Sequence, residues 1–256
     1  MNRNPNMGAM PPRSTKAGLF DRVYRTPALL VMAVFSAAAV ALFLVAALIF
    51  VLVGGTYFTV ERDGVTYRYF GVMNDDVPVF GTYKGTDGSR GRVSGDRVKF
   101  KGGAVYEGGM KGLFFDGQGC YTDPNGNEYR GVFEDGKLTG GGTVTYADGG
   151  KFAGQFEGGL FHGYGEVTYA DGSSYKGYFE KGEKSGYGEF RYADGSTYKG
   201  YFNNGMRHGE GQYRFASGDV YTGEFKNNVI EGTGTYFFAS GRVFRGEFVA
   251  GVPQIE

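Results

Sequence analysis

The sequence predicts an all-β repeat solenoid, a single extended and twisted sheet of stacked β-hairpins, preceded by one transmembrane α-helix. Two observations predict this fold: an aromatic-x-Gly trio recurs every 23 residues, and one long apolar run lies near the N-terminus. Composition agrees with the repeat, since the 256 residues include 48 Gly, 20 Tyr and 23 Phe. Only 7 prolines and an apolar fraction of 41% exclude a proline- and glycine-rich disordered chain.

The apolar run extends from Ala28 to Val53, and Ser36 is its only polar side chain. As an α-helix it would be about 39 Å long, enough to cross the hydrocarbon core of a bilayer. We therefore predict a transmembrane helix at 28–53. A cleaved signal peptide and a buried core helix are the alternatives, although the apolar region of a signal peptide normally has only about 7–15 residues.

The charges that flank the run predict its orientation. Residues 1–27 carry five basic groups and one acidic group, a net charge of +4, whereas the first charge after the run is Glu61. The positive-inside tendency places the N-terminus in the cytoplasm and the chain after Gly54 on the extracytoplasmic side. We expect a disordered cytoplasmic tail at 1–27 and a single-pass membrane protein.

The 23-residue period runs through eight units without an insertion. Within a unit, apolar and small residues alternate with polar ones, which is typical of half-buried strands. One hairpin cannot bury its aromatic face alone, so the repetition predicts that neighbouring hairpins stack. The trios begin at Tyr83, Tyr106, Tyr129, Phe152, Tyr175, Tyr198, Tyr221 and Phe244.

The turn between units can be predicted from the faces that it would give to the aromatic residues. At Asp194-Gly195, a two-residue loop would place Tyr192 and Tyr198 on opposite faces. A three-residue loop instead pairs Tyr192 with Ser196 and Phe190 with Tyr198, which collects the rings on one face. Burial favours the second register, so we predict the three-residue loop with a left-handed glycine.

Glycine also recurs inside the predicted strands, where it supplies no side chain for packing. Gly177, the third residue of the trio at Tyr175, is an example. We predict that Gly177 and its equivalents let an aromatic ring lie flat over the backbone and let the sheet bend.

The pattern Y-x-G-x-F-x-x-G-x-x-H-G-x-G-x-x-x-Y-x-D-G is nearly complete at 152–172 and 175–195. It resembles the MORN (membrane occupation and recognition nexus) repeat, well over 106–256 and weakly over 83–105. The resemblance implies β-hairpins stacked into an extended sheet, which serves as a scaffold, a dimerisation surface or a phospholipid-contacting module.

The unit at Tyr83 departs from the pattern. Asp87, Ser94 and Asp96 stand where the other units have an apolar residue and two glycines. Since terminal repeats are usually atypical, we expect a membrane-proximal β cap at 54–105, with a hairpin around Asp63-Gly64, and the repeat array at 106–256.

Patterns for catalysis or metal binding are sparse. His162 and His208 are two repeats apart, about 19 Å, which is too far to share a metal ion. Cys120 is the only cysteine, so there is no internal disulfide. The 27 basic and 27 acidic groups argue against a nucleic-acid partner. We expect no catalytic residue, metal or cofactor, and therefore no enzyme.

Two surfaces are candidates for binding. The aromatic stripe forms either the core of a one-layer sheet or a ligand groove. Lys176, Lys184, Lys199 and Arg207 form a small basic cluster on adjacent repeats, which is a candidate contact for anionic lipid. Residues 106–256 oppose that contact, because their 14 basic and 20 acidic groups give a net charge of −6.

The sequence therefore predicts a membrane-tethered, non-enzymatic scaffold that presents the solenoid to a protein partner. The alternative is a module that binds phospholipid headgroups or cell-surface glycans through exposed aromatic and basic side chains. We also expect a homodimer, because the open edges of such a sheet allow end-to-end pairing.

Overall fold

The computed structural model describes residues 24–25, 55–62 and 64–254, and every element in this part of the chain is a β-strand. The strands are β1 (Tyr24–Arg25), β2 (Gly55–Arg62), β3 (Val65–Asn74), β4 (Val77–Gly85), β5 (Arg90–Ser94), β6 (Arg97–Phe100), β7 (Val105–Lys111), β8 (Phe114–Thr122), β9 (Glu128–Glu134), β10 (Lys137–Thr145), β11 (Lys151–Glu157), β12 (Leu160–Thr168), β13 (Ser174–Glu180), β14 (Glu183–Arg191), β15 (Thr197–Asn203), β16 (Met206–Arg214), β17 (Val220–Lys226), β18 (Val229–Phe237), β19 (Val243–Val249) and β20 (Val252–Pro253).

The described residues divide into two compact units. The N-terminal unit contains the residues up to Gly126 together with the turn at 133–137, and the repeat unit contains 127–132 and the residues from Leu138 onwards. Within each unit, consecutive strands pair antiparallel, from β1 to β8 in the first and from β10 to β20 in the second. The predicted boundary at 105/106 lies inside the N-terminal unit and stays a prediction.

Strand β1 lies within the predicted tail at 1–27 and pairs with β2, so that Arg25 lies opposite Phe58. This pairing holds the two flanks of 28–53 side by side, whereas a single pass through a bilayer would separate them. The predicted span at 28–53 and the rest of the tail lie outside the described residues. No helix in the described part of the chain has the length and apolar character needed to cross a membrane. The span and its orientation stay predictions.

Each repeat contains a tight turn that the sequence analysis did not anticipate. In the repeat that begins at Tyr175, Glu180 lies opposite Glu183, and Lys181 and Gly182 form the loop between them. Both loop residues have positive φ, 50° and 88°, as a type I′ turn requires. The two strands of one repeat are therefore joined by a two-residue hairpin.

The turn between repeats is the predicted three-residue loop. The amide of Tyr192 donates to the carbonyl of Ser196 over 2.9 Å, Phe190 lies opposite Tyr198, and Gly195 has a φ of 87°. The hairpin predicted around Gly64 is also confirmed, since Arg62 lies opposite Val65. The preference for burying all rings on one face thus predicted the register correctly.

The aromatic face of the repeat unit is its core. Tyr175 is 0% exposed, and its ring packs edge to face against Phe179 of its own repeat at 5.2 Å and Phe202 of the next at 5.0 Å. A Cβ built on Gly188 would lie 2.5 Å from the Tyr175 ring, which confirms that the ring lies directly over glycine backbone. Each repeat therefore completes the core of its neighbour.

Candidate binding surfaces

Alternation along the strands separates the aromatic face from an outer face. In β13, Tyr175, Gly177 and Phe179 are buried on the aromatic face, while Lys176 and Tyr178 are exposed on the outer face. The outer face is not uniformly polar, because four tyrosines interrupt it. We call them the tyrosine patch: Tyr164, Tyr178, Tyr187 and Tyr201.

The side chains of the tyrosine patch are 47% to 55% exposed. They form two cross-strand pairs: the rings of Tyr164 and Tyr178 meet edge to face at 5.4 Å, and those of Tyr187 and Tyr201 at 5.5 Å. None of the four hydroxyls makes a hydrogen bond within the described part of the chain. The patch therefore offers both ring surface and free hydroxyl groups to a ligand.

The fold does not require tyrosine at these positions. In the neighbouring strand pairs of the repeat unit, the equivalent cross-strand partners are Gly141 with Gln155 and Glu210 with Glu224. The strands pair in the same way with these polar or small residues. The patch could therefore have been identified from sequence by comparing this position between repeats, because tyrosine occurs there in only some of them.

A row of charged residues lies beside the tyrosine patch on the outer face. Lys176 Nζ lies 3.6 Å from Glu166 Oε2, and Lys199 Nζ lies 3.3 Å from Glu189 Oε2. Glu189 also contacts Arg191 at 2.8 Å. Because Lys176 and Lys199 already have carboxylate partners, they give this face little excess positive charge.

The other two residues of the predicted basic cluster lie on the aromatic face, so the prediction of one surface is wrong. Lys184 lies opposite the buried Phe179, and its Nζ is 5.4 Å from the ring centre of Phe190. Arg207 lies over Tyr213 at 5.0 Å. The two-residue hairpin turn sets the register, which places Lys184 opposite Phe179 and therefore on the aromatic face. Lipid contact by the individual residues stays a prediction.

Lys184 and Arg207 occupy the repeat position at which other units place an apolar cover on the core. In the unit of Phe152, Phe161 fills it and stacks flat on Phe152 at 3.7 Å. Burial lowers the pKa of Lys184, and the nearby Glu183 offsets only part of the shift. In these two repeats a cation therefore replaces the apolar side chain. For Lys184, this position costs part of the hydration of its ammonium group.

Each of the two units contains a cavity. The repeat cavity, of about 500 Å³, lies beside Lys184 between the rings of Phe161 and Phe190, with Asp148 and Asp171 also in its lining. The N-terminal cavity, of about 480 Å³, lies within the N-terminal unit and has six aromatic side chains in its lining.

No cluster of three or more His, Cys, Asp or Glu side chains that could hold a metal ion occurs in the described ranges. His162 Nδ1 lies 3.4 Å from Glu157 Oε2, while the buried Nδ1 of His208 has no hydrogen-bond partner among the described residues. Cys120 is half-buried and forms no disulfide in the described part of the chain. The expectation of no catalytic, metal or cofactor site stays a prediction.

Comparison with known proteins gives one family match. The MORN repeat model matches six consecutive segments, at 106–128, 129–151, 152–174, 175–197, 198–220 and 221–241. No curated protein matches the chain significantly. Among solved structures, the TCP domain of SAS-4 (dCPAP) of Drosophila melanogaster, in complex with a proline-rich motif of Ana2 (dSTIL), is similar over 62% of this chain and 84% of that chain, with 12% identity and a TM-score of 0.37. That likeness is too low to inform function.

Proposed function

The chain belongs to the MORN-repeat family, and on that premise we propose that it is a non-enzymatic scaffold whose repeat unit binds a partner protein through the tyrosine patch. Tyrosine is enriched at protein interfaces, because its ring buries a large area at small entropic cost and its hydroxyl forms directional hydrogen bonds. The observation that supports this proposal is the set of four half-exposed tyrosines, whose hydroxyls have no hydrogen-bond partner in the described part of the chain.

The neighbouring charges indicate what kind of partner surface fits. Lys176 and Lys199 are paired with Glu166 and Glu189, so the outer face at the patch carries little net charge. Recognition would then depend on apolar contact with the tyrosine rings and on hydrogen bonds that the tyrosine hydroxyls donate to the partner. We expect the affinity for the partner to vary little with ionic strength, unlike that of a charge-steered complex.

The proposal includes a membrane tether at 28–53, with the N-terminus in the cytoplasm and the repeats on the extracytoplasmic side. Its support is the uninterrupted apolar sequence and the +4 charge before it. The pairing of β1 with β2 argues for both flanks on one side. Protease digestion of intact cells distinguishes the two, with one epitope fused before residue 1 and another after residue 256. Loss of the second epitope alone supports the tether, whereas loss or protection of both places the flanks on one side and contradicts it.

The partner can be found and the patch tested with the full-length chain. A photoreactive amino acid at position 201 should cross-link the partner, whereas the same residue at position 247, the equivalent outer-face position four strands away on β19, is the matched control. With the purified partner, Tyr187→Ala combined with Tyr201→Ala should weaken binding about 30-fold. The control pair Glu210→Ala and Glu224→Ala should change it less than about threefold.

Two outcomes contradict the proposal. Equal cross-linking from positions 201 and 247 would show that the patch is not the contact. Retention of a glycan or of anionic vesicles that depends on the same tyrosines, without a protein partner, would favour the alternative module. Charge reversal at Lys184 and Arg207 then tests whether the basic residues contribute to that binding.

A further inference from the structure

The N-terminal cavity has the size and lining of a small-molecule site. Its volume of about 480 Å³ lies within the range of ~300–1,000 Å³ that is usual for ligand pockets. Its rings support one another: Tyr83 meets Phe100 edge to face at 6.2 Å, and Phe100 meets Phe115 in the same way at 5.9 Å. Six aromatic side chains line it: Tyr67, Tyr83, Phe100, Phe114, Phe115 and Tyr121.

The charged groups in the cavity lining differ in how they are paired. Asp87 accepts hydrogen bonds from the backbone amide and the hydroxyl of Ser89, at 2.9 and 2.6 Å. Asp135 is bound by Arg62 at 3.0 Å. The exposed side chains of Arg90 and Lys101, in contrast, make no hydrogen bond or ion pair within the described ranges. Both carboxylates are engaged, and both lining cations are available.

Tyr83 adds a donor to this lining. Its hydroxyl has no hydrogen-bond partner within the described ranges. Burial raises the pKa of Tyr83, and neighbouring Tyr67 and Asp87 raise it further, so the hydroxyl stays protonated at neutral pH. An acceptor on a ligand bound in the cavity would receive a hydrogen bond from this hydroxyl.

We propose that the N-terminal cavity binds a small amphipathic anion, with its apolar body among the rings and its anionic head group, a carboxylate or a phosphate, at Arg90 and Lys101. Aromatic walls accept the apolar part, and unpaired cations at the rim supply charge-assisted hydrogen bonds to the head. The repeat cavity differs from the N-terminal cavity in the charge of its lining. It is as large, but Lys184 is the one cation in its lining, beside the carboxylates of Asp148, Asp171 and Glu183.

Photolabelling of the full-length chain tests this assignment at residue resolution. The probe is decanoate with a diazirine in its chain, and mass spectrometry locates the adducts. We expect adducts in the peptides that carry Tyr83, Phe100 and Phe114. Unlabelled decanoate or decyl phosphate should reduce labelling at least about tenfold, whereas decylammonium and inorganic phosphate alone should not. The ratio of the two effective competitors tells which head group is preferred.

Two variants place the head and the body of the ligand. Arg90→Gln combined with Lys101→Gln should weaken competition by decanoate at least about tenfold, since the loss of even one charge-assisted hydrogen bond has an effect of that size and this variant removes both cations. Gly102→Leu should block the cavity, since a Cβ at Gly102 meets no atom within 4 Å and its side chain would extend from the lining without disturbing the fold. Lys226→Gln combined with Arg245→Gln, two exposed cations of the repeat unit outside both cavities, is the matched control and should leave labelling unchanged.

Several results would overturn the assignment. Equal competition by decylammonium would exclude an anion site, and full competition by inorganic phosphate would exclude a role for the apolar body. Labelling of folded Gly102→Leu at the wild-type level would place the probe elsewhere. If circular dichroism shows that Gly102→Leu is unfolded, the test depends on the variant with Arg90→Gln and Lys101→Gln. Both of these side chains are exposed, so the fold should tolerate the change. Undiminished competition by decanoate in that variant would refute the site.

Discussion

Replacing Gly188 with alanine tests whether strand glycines are required by the ring that lies over them. The new Cβ would lie 2.5 Å from Cε2 and Oη of Tyr175, whereas ordinary contacts begin at 3.4 Å. The ring would therefore have to move by roughly 1 Å within a close-packed core. It has little room to do so, since Tyr175 is 0% exposed and contacts Phe179 and Phe202 on its other sides.

The expected magnitude follows from two opposing effects. Overpacking of a core costs about 1–3 kcal/mol, while alanine restricts the unfolded chain and returns about 0.4–1 kcal/mol. We expect Gly188→Ala to lower the free energy of unfolding by about 1–2 kcal/mol. Gly141→Ala is the matched control, because Gly141 also lies in a strand, its φ is not positive, and its Cβ would meet nothing within 4 Å. That variant should be unchanged or slightly stabilised.

Urea unfolding followed by circular dichroism and tyrosine fluorescence measures both variants, since the chain contains no Trp. The same substitution in a Tyr175→Leu background isolates the clash, because leucine lacks the ring atoms that the Cβ would meet. We expect a coupling of about 1 kcal/mol between the two sites. Equal urea midpoints for Gly188→Ala and Gly141→Ala, or no coupling to Tyr175, would refute the packing explanation.

Two further predictions concern charge. Hydrogen bonds from Ser196 lower the pKa of Asp194 below 3.8, so the stability that they contribute is present above that pH and is lost as the pH falls through the lowered value. The urea midpoint of the wild type should therefore drop in that window more than that of Asp194→Asn. Burial lowers the pKa of Lys184 below 10.5, so Lys184→Leu should raise the free energy of unfolding by about 1 kcal/mol at neutral pH. The wild type should approach the leucine variant as the pH rises towards 10.5, and a gap independent of pH would contradict the desolvation argument.

The repeat could be predicted from sequence because its register is fixed by burial at every step. One residue of slip at Asp194-Gly195 would move a whole set of rings into solvent, so only one loop length fits. The hairpin at Lys181-Gly182 was not predicted, because other repeats have Asn204 or Ala250 at the same position, also with positive φ. The next residue is glycine in these repeats, Gly182, Gly205 and Gly251, but the varied first residue hides the two-residue turn.

The basic cluster was predicted wrongly for a related reason. Lys176 and Lys184 are close along the chain, but the turn at 181–182 lies between them, and only its geometry decides which face Lys184 joins. Lys184 is aligned with Phe179 across the hairpin, so it lies with the core, while Lys176 lies with Glu166 on the outer face. The spacing of Lys176 and Lys184 along the chain could not show that they lie on opposite faces, because the turn between them was not predicted.

The patch is also small enough to constrain how a partner binds. Four adjacent strands, β12 to β15, carry it, and at a strand spacing of about 4.7 Å they span about 14 Å. A stable interface usually covers about 800 Å² on each partner. Such an area is roughly 28 Å across, which is about twice the width of the four strands. The tyrosines would therefore form the dry centre of a contact whose rim includes the paired charges of Glu166, Lys176, Glu189 and Lys199. Because rim charges contribute little to affinity, neutralising them should leave a complex that still depends on the rings.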